Sequence, residues 1–253
     1  MLKKLILVPR ILISLWIYFF VFASIIILIP ISLLIRIFTY PFDKNLYLIR
    51  LLYCFISHIY IILSPFWKIR VEDTNKFQKG KTYVVISNHQ SVIDIIVIQQ
   101  LYRKYSWVSK AENFSYPFLG MLMKISDDIK LDRDNPQSFA GLVRNCSRKL
   151  SKGTSIIIFP EGTRTPDGEI KRFKEGAFRI AQLAKVPILP VLLDGTREVL
   201  PKKGILMKAF SKFRLRVLDE IPYESFKDED PRKLADNINQ LMSEELLRMR
   251  QEN

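Results

Sequence analysis

From Ile11 to Ile35 the chain carries no charged residue. As a helix a run of about 25 residues is roughly 37 Å long, enough to cross the hydrocarbon core of a bilayer. This stretch cannot be an ordinary surface element of a soluble domain, and it fixes the first decision about the fold. Pro30 lies inside it and predicts a kink or an end near Ile29. A secretory signal is the competing reading, but the run is too long for a signal core and no small-x-small cleavage site follows. A second apolar run goes from Leu51 to Trp67, broken only by His58 and two serines. His58 reads as a packed or interfacial histidine.

Charge decides how these runs meet a membrane. The net charge is +14, with 39 Lys and Arg against 25 Asp and Glu. Such an excess calls for an anionic partner, nucleic acid or a phospholipid surface. Up to Arg70 the basic residues are Lys3, Lys4, Arg10, Arg36, Lys44, Arg50, Lys68 and Arg70, and Asp43 is the only acid, so half the excess sits in the most apolar part. Basic residues around long apolar runs favour lipid as the partner. All three flanks of the two runs are basic, and short basic loops resist translocation. A re-entrant or interfacial helix pair, with every end on the cytoplasmic side, fits better than a hairpin crossing twice.

From Val71 onward short β-branched runs alternate with helical patterns. Strands are expected at Thr82–Ser87, Ser106–Ser109, Ile129–Leu131, Thr154–Phe159, Ile188–Leu193 and Phe213–Leu218. Helices are expected at Ser91–Tyr102, Pro117–Met123, Ser138–Ser151, Gly176–Ala184 and Pro231–Met249. The fold class that follows is α/β: a mixed, largely parallel sheet flanked by helices, preceded by an N-terminal apolar helix pair embedded in the membrane. Residues 1–70 form the membrane-associated segment and 71–253 the α/β domain. With only two histidines in different surroundings, and cysteines only at Cys54 and Cys146, no metal site is expected. The two cysteines read as reduced thiols of a cytosol-facing protein.

Two constellations carry chemistry. Ser87-Asn88-His89-Gln90-Ser91-Val92-Ile93-Asp94 runs from a strand end through a polar turn into a helix. A histidine there stands where α/β sheets place their ligands. A carboxylate five residues on can fold back to one ring nitrogen, leaving the other to accept a proton from a hydroxyl. Ser91 and Asp94 also form a plausible capping box, in which Asp94 serves only the helix N-terminus. The second is Phe159-Pro160-Glu161-Gly162-Thr163-Arg164. Gly162 allows close approach, Thr163 offers a hydroxyl, and Arg164 supplies a planar fork suited to phosphate. Glu161 can accept from a ligand hydroxyl or hold Arg164. A surface turn with a local ion pair would look similar.

Together these residues resemble the glycerolipid acyltransferase family, specifically the 1-acyl-glycerol-3-phosphate acyltransferases, over roughly Tyr83 to Gly195. The family's first motif, a His and an Asp separated by four residues, is matched by His89 and Asp94. Its third is matched by Phe159 to Arg164, and its fourth by Val186-Pro187-Ile188-Leu189-Pro190. Lys110 and Gly120 also stand where the family often has Lys and Gly. The second motif closes correctly on Asp132-Arg133, but the glycine expected some five residues earlier is replaced by Asp127, followed by Asp128. That acidic pair could alter the acceptor pocket.

The resemblance implies an enzyme of phospholipid biosynthesis that acylates the sn-2 hydroxyl of lysophosphatidate, giving phosphatidate. The co-substrate is an acyl thioester, acyl-CoA or acyl-carrier protein, and there is no resident cofactor. It implies that His89 is the general base, oriented by Asp94, and that Arg164, Gly162 and Thr163, with Arg133 and Glu161, bind the acceptor. Ser91 caps its helix and is not a nucleophile. The implied location is the membrane, on the cytoplasmic face of the inner membrane in a bacterial cell. Other readings are acylation of glycerol-3-phosphate or another lysophospholipid, a lipid-binding protein that keeps the fold without the chemistry, and a nucleic-acid module. The last would rest on Arg197 to Arg216, with seven basic residues and one acid. No recognised nucleic-acid motif accompanies it.

Overall fold

The computed structural model describes residues 2–64, 67–132, 138–200, 202, 204–208 and 210–252. Among the described residues seven strands form one sheet: β1 (Trp67–Glu72), β2 (Val84–Ser87), β3 (Tyr105–Lys110), β4 (Ile129–Leu131), β5 (Ser155–Ile158), β6 (Ile188–Asp194) and β7 (Ser211–Val217). Their spatial order is β1-β7-β6-β2-β5-β3-β4. Every neighbouring pair is parallel except β6–β7. β2, β5 and β6 are apolar without alternation because both faces are covered.

The helices are α1 (Leu2–Thr39), α2 (Tyr47–Ile62), α3 (Asp94–Ile98), α4 (Leu119–Ile125), α5 (Ser138–Ser151), α6 (Gly176–Ala184), α7 (Thr196–Val199) and α8 (Pro231–Gln251). Side chains alternate across the sheet. Val84, Ile86, Ile156 and Ile158 pack on α5, α6 and α8, through Cys146, Phe178 and Met242 among others. Val85, Ile157, Leu189 and Val191 pack on the opposite layer, which contains Val97 of α3 and also Ile17 of α1 and Ile61 of α2. The apolar N-terminal helices therefore share a core with the α/β domain.

Three expectations change. Pro30 does not end the first helix, which runs from Leu2 to Thr39 through both Pro9 and Pro30. On an apolar face, breaking the ladder would leave several backbone groups unpaired, whereas a proline removes one bond. The helix expected at Ser91–Tyr102 is shorter: α3 begins at Asp94, and a 3₁₀ turn covers Gln99–Leu101. The sheet begins at Trp67, so β1 runs across position 70 and pairs along its length with β7.

α1 is tied to the α/β domain near both ends. Arg10 donates to the carbonyls of Leu206 and Met207, Tyr18 to that of Ile205, and Ser14 Oγ accepts from the Met207 amide. Toward its other end Arg36 donates to the carbonyls of Lys124 and Ile125, which close α4. The 26 residue steps from Arg10 to Arg36 cover about 39 Å at 1.5 Å per step. α1 thus lies along the domain, and its outer face exposes Leu12, Leu15, Trp16, Phe19, Phe22 and Ile27.

The acidic pair in the second motif has structural partners. Asp127 adopts φ +52°, the left-handed conformation that a glycine would take without strain, and pairs with Lys149. Asp128 is buried against Arg50 of α2 at 2.7 Å, and also accepts from the Trp107 amide and the Ser126 hydroxyl. The Arg50 guanidinium lies 4.9 Å from the centre of the Tyr105 ring. Asp128 is thereby committed inside the protein, while Asp127 remains partly exposed. The basic stretch around Arg216 is likewise engaged: Arg214 and Arg216 pair with Glu72 and Glu252, and Lys208 pairs with Glu198.

Candidate active site

β2, β5 and β6 lie side by side at the centre of the sheet with β2 between the others, and all three run the same way. The chain leaving β2 carries His89, that leaving β5 carries Glu161 to Arg164, and that leaving β6 carries Thr196. Ligand sites in parallel sheets form beyond such carboxyl ends.

The turn after β2 is fixed from both sides. The Asn88 carboxamide both donates to and accepts from the backbone of Leu193, each at 2.8 Å. His89 Nδ1 is 2.7 Å from Asp94 Oδ2, and the same oxygen accepts from the amides of Gln90 and Ser91. Asp94 Oδ1 accepts from the Thr196 hydroxyl. The carboxylate, fully buried, therefore meets both sequence readings at once, as helix-terminal acceptor and as partner of the imidazole. A carboxylate accepts only, so Nδ1 must carry the proton and Nε2 presents its lone pair. Nε2 has no hydrogen-bond partner among the described residues, and the ring keeps 19% of its surface open. One face of the imidazole stacks on Phe159 at 4.0 Å and 14°, and Phe159 stacks in turn on Trp107. Such a ring is positioned as a general base. Ser91 is completely buried; its hydroxyl donates to the Leu200 carbonyl and accepts from the Ile93 amide. It is not available as a nucleophile.

Glu161 takes two backbone partners. Its Oε1 accepts from the His89 amide at 2.7 Å and its Oε2 from the Lys171 amide at 3.1 Å. It clasps the catalytic loop by its backbone and does not hold Arg164. Burial pushes its carboxyl up to about 7, against the opposing pull of those two amides. Gly162 takes φ +72°, and a Cβ there would lie 3.2 Å from Lys174 Cε. Thr163 is exposed, and its hydroxyl accepts from Lys202 Nζ at 2.9 Å. Arg164 is half-buried with no ion-pair partner among the described residues. The turn is joined to the base, since the Thr165 amide donates to the His89 carbonyl at 2.8 Å. Arg133 lies outside the described residues. Among the described residues no group of three or more His, Cys, Asp or Glu gathers as a metal would require.

Residues 68–194 match the family model described as Acyltransferase. The chain belongs to that family. This acyltransferase is 33% identical over 195 residues to a chloroplastic 1-acyl-sn-glycerol-3-phosphate acyltransferase of Brassica napus, covering 73% of this chain and 56% of that one. It is 28% identical to 1-acyl-sn-glycerol-3-phosphate acyltransferase alpha of Bos taurus, covering 79% and 68%. The chain spans about half the length of several such relatives, 44% in the case of that from Arabidopsis thaliana. Among solved structures it resembles the 1-acyl-sn-glycerophosphate acyltransferase PlsC from Thermotoga maritima, with TM-score 0.79, 25% identity, and 94% and 96% of the two chains covered. The acyltransferase fold is thus mixed and mostly parallel, as expected.

Sequence reasoning missed Thr196, Asn88, Trp107 and Lys202. Thr196 was within reach, because it directly follows Asp194-Gly195 at the end of a predicted strand. Its approach to Asp94 depends on β6 lying next to β2, which no local pattern reveals.

Proposed function

We propose that this acyltransferase moves an acyl chain from an acyl thioester to the sn-2 hydroxyl of 1-acyl-glycerol-3-phosphate, giving phosphatidate for phospholipid biosynthesis. The observation that carries this is the open Nε2 of His89, backed by Asp94 at Nδ1 and joined through the Thr165 amide to the Gly162-Thr163-Arg164 turn. The names of the plant, animal and bacterial relatives support the acceptor. Nε2 takes the hydroxyl proton as the oxygen attacks the thioester carbonyl. The new C–O bond forms and the C–S bond breaks. The imidazolium, stabilised by Asp94, returns its proton to the departing thiolate. No covalent enzyme intermediate and no resident cofactor are needed, because the acceptor supplies the nucleophile. The phosphate of the acceptor sits on Arg164 and the Gly162–Thr163 turn, with Arg133 as a further donor.

The protein works at an anionic leaflet, the cytoplasmic face of the inner membrane in a bacterial cell. α1 supports this as an in-plane helix: it is tied to the same domain at Arg10 and at Arg36, and a helix tied at both ends cannot cross the bilayer. Its exposed apolar face enters the leaflet, and the acceptor and product stay there. Residues 1–70 act as the anchor and 71–253 as the catalytic part, with β1 shared between them.

Purified protein in detergent, given lysophosphatidate with acyl-CoA or with acyl-carrier protein, tests the reaction and identifies the donor. His89→Ala should abolish turnover and leave vesicle binding intact. Wild-type rates in that variant would remove His89 as the base.

A further inference from the structure

Lys202 belongs to none of the motifs, yet its Nζ rests 2.9 Å from Thr163 Oγ1. Lys174 reaches the same turn from another side: its Nζ lies 3.5 Å from where a Cβ on Gly162 would stand. Arg164 is the next residue along. None of these three cations has a carboxylate partner among the described residues, while nearby Lys208, Arg172 and Arg250 each have one. The single acid of the motif, Glu161, is turned inward on the amides of His89 and Lys171. Two ammonium groups at the Gly162–Thr163 turn, with Arg164 next in the chain, make a locally basic surface that attracts an anion.

We propose that Lys202 and Lys174 complete, with Arg164, a three-cation seat for a dianionic phosphomonoester, and that this charge match selects phosphomonoester over phosphodiester acceptors. The proposal rests on the acyl-transfer reading above and names how its acceptor is chosen. A phosphomonoester carries nearly two negative charges at neutral pH and three terminal oxygens. Arg164 can engage two of those oxygens as a fork, and a lysine can meet the third as a point charge. A phosphodiester headgroup carries one charge, and its esterified oxygen blocks one cation. Gly162, lacking a Cβ, lets the backbone approach the phosphate closely. Lys202 is placed by its neighbourhood: the Leu200 carbonyl accepts from Ser91 beside the catalytic base, and Ile205 to Met207 hydrogen-bond to α1. The seat is therefore built jointly by the catalytic loop and the bilayer-facing helix.

The test uses the full chain in mixed micelles, with lysophosphatidate and lysophosphatidylglycerol as rival acceptors. Lys202→Ala and Lys174→Ala should each raise the lysophosphatidate KM by about 10-fold or more, as loss of a hydrogen bond to a charged group does. The donor KM and vesicle binding should not change, and the preference for lysophosphatidate over lysophosphatidylglycerol should fall by a similar factor. Lys202→Arg, which keeps the charge, should lose less acceptor affinity and less preference than Lys202→Ala. Unchanged acceptor KM and unchanged preference in both alanine variants would overturn the seat and leave the phosphate to Arg164 and Arg133. Lysophosphatidate affinity measured calorimetrically in His89→Ala and His89→Ala/Lys202→Ala separates the seat from the reaction. Equal affinities refute the seat whatever the chemistry. A Lys202-dependent affinity without wild-type turnover would sink the reaction and leave the seat standing.

Discussion

Asp94→Asn isolates the charge behind the base. Asn has the same shape, and its oxygen can still face His89 Nδ1 and the amides of Gln90 and Ser91, so the loop should survive. Thr196 can rotate its hydroxyl from donating to accepting at the other position. What disappears is the negative charge next to an imidazole that becomes positive in the transition state. With charge centres about 4 Å apart and an effective dielectric near 20, that attraction is about 4 kcal/mol. At 1.36 kcal/mol per decade it corresponds to about 10³ in kcat. The two backbone amides on Oδ2 already draw on the same charge, so the expected loss is about 10²–10³. Initial rates at saturating lysophosphatidate and acyl thioester measure it, with thermal unfolding as the check that the fold persists. A loss under tenfold with an unchanged melting temperature would refute the account, since Asp94 would then serve only the helix terminus.

Other consequences can be measured alongside. Arg50→Met or Asp128→Leu alone should destabilise by about 3–5 kcal/mol, because each leaves a buried charge unpaired, while the double variant should recover much of that; additive losses in detergent unfolding would argue that the pair is not coupled. Gly162→Ala should cost about 1 kcal/mol through its positive φ, because the flexible Lys174 end can move aside, and it should raise the acceptor KM; an unaltered KM would mean that phosphate does not approach this backbone. Glu161, with its carboxyl raised to about 7, stabilises the fold most when protonated. That contribution, on the order of 3 kcal/mol, is present below about pH 4.5 and lost as pH rises through 7. Glu161→Gln should flatten this part of the stability–pH curve, and an identical curve would show that the group does not titrate there.

The parallel strands were legible because their apolar runs are short, β-branched and bounded by turn residues. Ser138–Ser151 and Gly176–Ala184 were legible because their apolar residues follow the helical period. His89 and Asp94 could be found because their contact is local. Lys202 and Thr196 act across long sequence separations, so strand order decides where they arrive. The turn of Glu161 onto the His89 and Lys171 amides was hidden because a carboxylate in a motif says nothing about which way it points. The partners of Asp127 and Asp128 were hidden for a related reason. One occupies a backbone conformation, and the other answers a cation 78 residues away. Arg50 itself read as a membrane flank, since an arginine in an apolar helix gives no sign that its partner is inside the protein.

That buried Arg50–Asp128 pair bears on how the molecule can be handled. An anchor joined to its enzyme only by a linker can be removed to give a soluble fragment. Here the cut would strip a guanidinium from Asp128, uncover the Tyr105 ring and remove Ile17 and Ile61 from the second core layer. Anchor and enzyme should therefore melt in a single transition. A truncated chain starting at the first strand should fail to accumulate, whatever detergent is supplied. The two apolar N-terminal helices are in that sense a structural half of the acyltransferase.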